Sequence, residues 1–322
     1  MKVGIIGAGH IATKAARTLN AMPDMECLAI GSRSLDKAQA FANTWFVPRA
    51  YGSYAELLDD PDVELVYVAT PHSHHFEVTR AALEAGKPCL VEKSFMANGS
   101  QTRSVLALAR ERHIFVGEAI WTRYLPAVDI IRGVLASGVL GRVRTVSATL
   151  SYPIGEVERI LRPELCGGAL LDLGVYCINF IRTYCDSPIE RMSSVCTKFD
   201  TGTDMSASVS FVLADGTVAQ MLTSADCQGD NVCVIAGSKA NLWIDDINNP
   251  QRICVYGRHH SLVAEYPVPE QVSGFEYEFR ACRDAIRAGQ IEPSQMPHAE
   301  IQYVMDLMDR LRADWGVRFP MD

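Results

Sequence analysis

The first third of the chain alternates short apolar runs with segments whose apolar residues recur every three or four positions. The first pattern is typical of buried strands and the second of packed helices, so the alternation predicts a parallel sheet with helices on both faces. The predicted strands are Lys2–Gly7, Glu26–Ile30, Leu65–Thr70, Pro88–Glu92 and Ile114–Gly117. The predicted helices are Ile11–Met22, Leu35–Thr44, His74–Ala85 and Gln101–Arg112.

After Pro126 the pattern changes to short alternating strands separated by turn residues, which predicts an α+β domain with a large, mainly antiparallel open sheet. The predicted strands are Arg142–Leu150, Met192–Lys198, Ser206–Val212, Thr217–Leu222, Val232–Ala236, Leu242–Ile244, Arg252–Tyr256 and Leu262–Tyr266. The predicted helices are one from Pro126 to about Ser137, then Leu170–Tyr184, Phe275–Ala288 and Ala299–Ala313. We therefore expect an α/β protein of two domains, residues 1–118 and 119–322.

The amino-acid composition limits which kinds of molecule we expect the protein to bind. The 322 residues carry 30 Lys plus Arg against 38 Asp plus Glu, a formal charge of −8, which disfavours nucleic acid. No apolar run approaches the ~18 residues of a membrane span, so we expect no membrane partner. The ten cysteines form no C-x-x-C motif, so we expect reduced thiols of a cytoplasmic protein.

The turn after the first strand reads Gly7-Ala8-Gly9-His10-Ile11-Ala12, a G-x-G-x-x-A motif that opens a helix. The glycines permit a tight turn and close approach of a pyrophosphate, and the helix N-terminus faces the anion. Because the motif sits in a βαβ pattern, it predicts a Rossmann dinucleotide site that includes Gly7, Gly9, His10 and Ile11.

The residues after the second strand suggest which dinucleotide binds. NAD enzymes usually have Asp or Glu there, whereas this chain has Gly31-Ser32-Arg33-Ser34, followed by Lys37. A hydroxyl, a guanidinium and an ammonium suit the adenosine 2′-phosphate, so Ser32, Arg33 and Lys37 favour NADP(H) over NAD(H). The alternative is an ordinary solvated basic helix start.

Two further segments carry candidate chemistry. Lys93 follows Glu92 at the carboxyl edge of the predicted sheet, where ligands bind in such folds, although it could simply end a strand in solvent. Asp172 and Tyr176 lie four residues apart on an otherwise apolar helix, which places them on one face. A nearby ammonium such as Lys93 would favour the phenolate of a proton-donating tyrosine. A buried, hydrogen-bonded Tyr176 without catalytic role fits this pattern equally well.

These motifs together resemble the Gfo/Idh/MocA family of nicotinamide-dependent oxidoreductases. The resemblance rests on the G-x-G-x-x-A turn, on Glu92-Lys93 and on the stretch from Gly167 to Gly174, GGALLDLG. The stretch from Glu118 to Arg123, EAIWTR, and the spacing of Asp172 and Tyr176 resemble the branch of dimeric dihydrodiol and NADP-dependent xylose dehydrogenases. Many family members have His where Tyr176 stands, and Pro where Ser94 follows the lysine.

The resemblance implies that nicotinamide lies beside Lys93, that Tyr176 is the acid/base, and that Asp172 orients substrate or tyrosine. It also implies that Arg33 meets the 2′-phosphate and that the open C-terminal sheet forms a homodimer.

The residues Thr70-Pro71-His72-Ser73-His74-His75 follow another predicted strand. Three histidines so close together converge poorly on one ion, and no carboxylate or Cys completes a metal site, so we expect no metal there. The resemblance instead implies that Thr70 and Pro71 line the nicotinamide ribose and that His75 begins the next helix on the cofactor side.

Trp121, Arg123 and Tyr152 could line a sugar or aromatic substrate, since rings stack on apolar faces and Arg binds hydroxyls. Trp121 could equally belong to the core between the domains.

The leading hypothesis is an NADP(H)-dependent oxidoreductase that acts on a hydroxyl or carbonyl carbon of a sugar, polyol or trans-dihydrodiol. One rival is a non-catalytic NAD(P)-binding sensor of the same fold, but Lys93, Asp172 and Tyr176 together argue against it. A third possibility is redox-assisted glycoside cleavage, which Arg33 and Lys37 disfavour because relatives that perform it use NAD.

Overall fold

Two sheets organise the chain in the computed structural model, which describes residues 1–322. The helices are α1 (His10–Ala21), α2 (Leu35–Trp45), α3 (Tyr54–Leu58), α4 (His72–Glu84), α5 (Gly99–Arg112), α6 (Pro126–Ala136), α7 (Glu158–Leu161), α8 (Val175–Tyr184), α9 (Glu276–Arg287) and α10 (His298–Trp315). The strands are β1 (Lys2–Ile6), β2 (Glu26–Gly31), β3 (Arg49–Tyr51), β4 (Leu65–Val68), β5 (Cys89–Glu92), β6 (Val116–Ala119), β7 (Val143–Ser151), β8 (Ile189–Lys198), β9 (Asp204–Leu213), β10 (Val218–Ser224), β11 (Cys233–Gly237), β12 (Asn241–Ile244), β13 (Arg252–Tyr256) and β14 (Leu262–Pro267).

The chain divides into two compact units. Unit 1 comprises Met1–Trp121, Gln271–Asp306 and Met321–Asp322, and unit 2 comprises Thr122–Glu270 and Leu307–Pro320. The domain boundary predicted at residue 118 lies close to Trp121, where the chain first passes from unit 1 to unit 2. Residues 271–306, which were predicted to belong to the second domain, belong to unit 1. The α9 segment joins unit 1 because its Phe275 and Phe279 belong to that unit's apolar core.

Unit 1 contains a six-stranded parallel sheet in the order β3-β2-β1-β4-β5-β6. The strand order reverses beside β1, and ligands of open α/β sheets bind at the carboxyl ends of the strands around such a point. Ala12, Ala15 and Ala16 of α1 are completely buried in the core, as the small residue of the glycine motif requires. The predicted Rossmann architecture is confirmed.

Unit 2 contains an eight-stranded sheet in the order β14-β13-β12-β11-β7-β10-β9-β8. All neighbouring strands are antiparallel except β7 and β10, which pair in parallel. The mainly antiparallel open sheet predicted for this region is therefore confirmed.

The helix predicted over Leu170–Tyr184 has a break in its hydrogen-bonding pattern. Leu170–Gly174 forms a π-helical turn, hereafter the π-turn, and the α-helical part α8 begins only at Val175. Such turns occur frequently at functional sites, and local apolar spacing gives no sign of them.

The segment Pro163–Tyr184 is, by length and composition alone, apolar enough to cross a bilayer. Its most apolar window is 89% buried inside the protein, as expected for a core helix of a globular fold. The sequence analysis expected no apolar run of this length and did not single out this segment, because a few polar residues interrupt it.

Candidate active site

The turn between β1 and α1 leaves room for an anion. Gly7 has φ +104°, and an added Cβ would lie 2.6 Å from the Ala69 carbonyl oxygen, whereas a Cβ on Gly9 would meet nothing within 4 Å. Gly9 is the N-cap of α1 and offers no side chain to its first N–H groups, and the first turn has no acidic residue. Exposed N–H groups at the positive end of a helix fit a pyrophosphate, and His10 and Ile11 form that helix start.

The candidate 2′-phosphate site lies where β2 ends. Ser32 is buried, whereas Arg33 and Lys37 are exposed and form no ion pair with a carboxylate. Ser34 caps α2 by accepting a hydrogen bond from the Lys37 N–H at 3.5 Å. Two cations without an anionic partner fit an incoming phosphate, as the NADP(H) prediction requires.

The segment after β4 contributes main chain and one hydroxyl. Thr70 is 9% exposed and its hydroxyl has no hydrogen-bond partner, while Pro71 is the exposed N-cap of α4. His75 is completely buried, and its ring nitrogens contact the carbonyls of Thr70, Ser94 and Phe95 at 2.8–3.1 Å. Burial lowers the pKa of His75 to about 4, so the ring is neutral. A side chain so placed supports this edge of the sheet from inside, through the carbonyls on either side of it, and its role beside the cofactor stays a prediction.

Lys93 emerges at the carboxyl end of β5 beside a buried carboxylate. Glu92 is 5% exposed and accepts hydrogen bonds from the Tyr67 hydroxyl and, at 3.2 Å, from the Lys93 N–H. The Lys93 carbonyl lies 3.1 Å from His72 Nε2. The backbone N–H of Lys93 is therefore bound by Glu92 and its carbonyl lies against His72. Glu92 in turn is bound by the Tyr67 hydroxyl.

Trp121 packs within unit 1. Its ring stacks on Phe275, with centroids 4.9 Å apart and planes inclined by 7°, and it lies against the apolar core. One face of the indole is thus covered by unit 1 itself, and the ring remains partly exposed.

Asp172 and Tyr176 are both buried in unit 2, 6% and 9% exposed. Asp172 lies in the π-turn and Tyr176 in the first turn of α8, so their spacing includes a wider turn than the α-helix assumed from sequence. Arg159 of α7 binds the Asp172 carboxylate with both terminal nitrogens, at 2.8 and 3.0 Å. Bidentate pairing fixes the orientation of a carboxylate. Sequence analysis missed Arg159, because its neighbours show only a charged surface pattern.

A small pocket adjoins Tyr176 in unit 2. Its lining combines apolar side chains with polar groups. The apolar ones include Leu125, Val128, Ile131, Phe180 and Ile247, and the polar ones are Arg123, two threonines, Tyr176 and Tyr184. Arg123 is only 8% exposed. Tyr152 lies outside this lining, and its hydroxyl accepts a hydrogen bond from the Asn248 amide at 3.2 Å. The structure thus brings Arg123 and Tyr176 together.

A doubly wound parallel sheet with an open glycine turn and unpaired cations beside β2 defines a dinucleotide-binding enzyme fold. Residues 1–119 match the model of the oxidoreductase family with an NAD-binding Rossmann fold, GFO_IDH_MocA, and residues 128–243 match the C-terminal domain of the same family. The chain belongs to the Gfo/Idh/MocA family, which confirms the predicted family and the predicted class of nicotinamide-dependent oxidoreductase.

The chain is similar to known proteins over its whole length. The chain is 34% identical to trans-1,2-dihydrobenzene-1,2-diol dehydrogenase of Sus scrofa and 32% identical to the Homo sapiens protein of that name, covering 100% of this chain and 99% of each relative. It superposes with a TM-score of 0.89 on KijD10, a 3-ketoreductase from Actinomadura kijaniata in complex with NADP and TDP-benzene, at 26% identity over 99% of this chain and 98% of that one. Levoglucosan dehydrogenase in complex with NADH and levoglucosan, 18% identical with a TM-score of 0.87 and full coverage of both chains, shows the shared fold.

Proposed function

We propose that this protein is an NADP(H)-dependent dehydrogenase that acts on one CH–OH carbon of a trans-dihydrodiol or a sugar. The observation that carries the proposal is the full-length similarity to trans-1,2-dihydrobenzene-1,2-diol dehydrogenases at 34% identity. The apolar and aromatic pocket beside Tyr176 supports a diol with a hydrocarbon ring, and Arg123 supplies a cation for its hydroxyl groups.

The cofactor residues of the proposal are Gly7, Gly9, His10 and Ile11 for the pyrophosphate, and Ser32, Arg33 and Lys37 for the 2′-phosphate. The two exposed cations without carboxylate partners and the NADP bound to the related ketoreductase support NADP(H) over NAD(H). Thr70, Pro71 and Lys93 would line the nicotinamide side, with Glu92 and His75 behind them.

Bound nicotinamide supplies the hydride acceptor or donor of the reaction. Tyr176 exchanges the proton of the substrate hydroxyl, and the Lys93 ammonium stabilises the negative charge on the oxygen atoms that share this proton. Asp172, oriented by Arg159, positions Tyr176 or the substrate hydroxyl. The related ketoreductase has been solved with one lysine and with one tyrosine replaced, which agrees with roles for both residue types. Trp121, Arg123 and Tyr152 remain the proposed substrate contacts.

The open face of the sheet in unit 2 supports the proposed homodimer. Val195 of β8 and Leu222 of β10 both pair with Ser208 of β9 and are 70% and 51% exposed. Contiguous exposed apolar patches mark interaction surfaces, and these two side chains flank Ser208 on one face of the sheet. Eight of the ten cysteines are buried, as expected of thiols in a cytoplasmic protein.

The test is nicotinamide absorbance after purified protein is mixed with trans-dihydrodiols, aldoses and inositols, each with NADP⁺ and with NAD⁺. We expect turnover on a dihydrodiol or sugar that is faster with NADP⁺. Tight NADPH binding without turnover on any of them would contradict the proposal and favour a sensor.

A further inference from the structure

The glycine pair that precedes the π-turn is packed against the protein itself. A Cβ on Gly167 would lie 2.4 Å from the Ile160 carbonyl oxygen at the end of α7. Gly168 has φ +115°, and a Cβ there would lie 2.1 Å from Oδ1 of Asp204. These glycines therefore allow α7 and Asp204 to approach the turn, and they leave no space for a ligand.

Asp204, the first residue of β9, holds the start of the π-turn. Its side chain is completely buried, and Oδ2 accepts a hydrogen bond from the Leu170 N–H at 2.5 Å. The preceding residue, Thr203, donates its hydroxyl to the Ile160 carbonyl at 3.1 Å. The beginning of β9 thus binds both the segment that enters the glycine pair and the segment that leaves it.

The same contacts determine where Asp172 and Tyr176 lie. Arg159 stands one residue before Ile160 on α7 and binds Asp172 in the π-turn. Tyr176 follows the π-turn within the first turn of α8. Movement of the Leu170 end would therefore shift both side chains together, since the helical segment is continuous from the π-turn into α8.

We propose that Asp204 is a positioning residue for the reaction, whose carboxylate holds the π-turn and through it Asp172 and Tyr176. The inference rests on the proposed role of Tyr176 in proton transfer. A charge-assisted hydrogen bond from a carboxylate to a backbone N–H is about twice as strong as a neutral one, so the negative charge is the part that matters.

The charge on Asp204 is sensitive to pH in the neutral range. Burial raises its pKa to about 6, while the N–H groups of Leu170 and Ala169 and the guanidinium of Arg312 on α10 act in the opposite direction. On the neighbouring strand β8, Lys198 pairs with Asp204 in the register of the sheet, and burial raises the pKa of the Cys196 thiol to about 12. The carboxylate is ionised at pH 8 and protonated below about pH 6, so turnover should fall as the pH drops through this range.

The first experiment compares Asp204→Asn with Asp215→Asn, which alters an exposed aspartate in the β9–β10 turn. For Asp204→Asn we expect kcat at pH 8 about tenfold below wild type, because a displacement near 1 Å can cost this much or more. We also expect unchanged NADPH affinity and loss of the decline near pH 6. Asp215→Asn should keep the wild-type profile. Wild-type kcat and an unchanged acidic limb in Asp204→Asn would overturn the proposal, as would a lower melting temperature with normal kcat.

A second measurement needs no variant and no substrate. Amide hydrogen exchange of the wild-type chain with NADPH, corrected for intrinsic rates, should show loss of protection in peptides spanning Gly167–Tyr176 between pH 7.5 and pH 5. Equal protection at both pH values would overturn the role of Asp204 even if the Asn variant fails to fold. If no tested substrate is turned over but protection falls as expected, the proposed function fails while the positioning of the π-turn by Asp204 stands.

Discussion

Gly9 in unit 1 and the pair Gly167-Gly168 in unit 2 use the absence of a side chain for opposite purposes. At Gly9 an added Cβ would enter open space in front of a helix N-terminus, whereas at Gly167 and Gly168 it would enter atoms of the protein at 2.4 and 2.1 Å. The missing side chain at Gly9 therefore leaves space for a ligand. At Gly167 and Gly168 it allows the chain to pack closely against Ile160 and the buried Asp204 carboxylate.

The charges around the two motifs differ in the same way. Near the first, Arg33 and Lys37 are exposed and without carboxylate partners, as a site for an anion should be. Near the second, the carboxylates of Asp172 and Asp204 are already bound by Arg159 and by the Leu170 N–H. The cofactor site therefore leaves its cations open to an anion, whereas the carboxylates around the π-turn already have partners within the protein and hold the turn in place.

Tyr176→Phe removes the hydroxyl group that follows the π-turn, and it should lower kcat more than the other variants do. Loss of the proton-transferring hydroxyl should lower kcat about a hundredfold or more. NADPH affinity, measured by fluorescence titration, should be unchanged. Tyr277→Phe, a partly exposed tyrosine of α9, is the control and should behave as wild type. Normal turnover in Tyr176→Phe would remove this residue from the mechanism.

Matched alanine substitutions test the two glycine motifs directly. Gly168→Ala combines a positive φ with a clash against Asp204 and should lower the free energy of unfolding by about 2 kcal/mol or more. Gly9→Ala has a negative φ and free space, so its melting temperature should be unchanged while its Kd for NADPH rises about tenfold. Thermal melts and cofactor titrations of both variants measure the difference. A destabilised Gly9→Ala, or a Gly168→Ala as stable as wild type, would remove the distinction.

Arg33→Ala tests whether the exposed guanidinium after β2 binds the 2′-phosphate of the cofactor. Loss of a charge-assisted contact to the 2′-phosphate should weaken NADPH binding about tenfold to a hundredfold and leave NADH binding nearly unchanged. Arg17→Ala, an exposed arginine of α1, provides the control of equal charge. Parallel titrations with both cofactors give the ratio. Equal loss of NADPH and NADH affinity would place Arg33 outside the 2′-phosphate site.

Arg159→Met should have the smallest effect, since the arginine is 45% exposed and water can replace part of its contact. We expect a kcat lower by a few-fold and a free energy of unfolding lower by about 1 kcal/mol. Arg162→Met breaks a neighbouring pair in which both side chains are exposed and should change neither kcat nor melting temperature. Identical behaviour of the two variants would mean that Asp172 needs no orienting partner.

Local patterns were sufficient for much of unit 1. The predicted Ile11–Met22 and Leu35–Thr44 correspond to α1 at His10–Ala21 and α2 at Leu35–Trp45, because apolar periodicity and a glycine turn or serine cap mark those ends. The same patterns missed the strand β3 at Arg49–Tyr51 and the helix α3 at Tyr54–Leu58, because these elements are too short for a period to be recognised.

The sequence by itself determined the class of fold, the family, the glycine turn, and the candidate residues Lys93, Asp172 and Tyr176. These depend on residue types and spacings within short segments, which act through local sterics and hydrogen bonding. Only the tertiary structure decided that Trp121 stacks on Phe275, that His75 is buried among carbonyls, and that Asp204 meets Leu170. The physical reason is that such contacts join segments far apart in the chain, so their energy depends on which surfaces the packed core brings together.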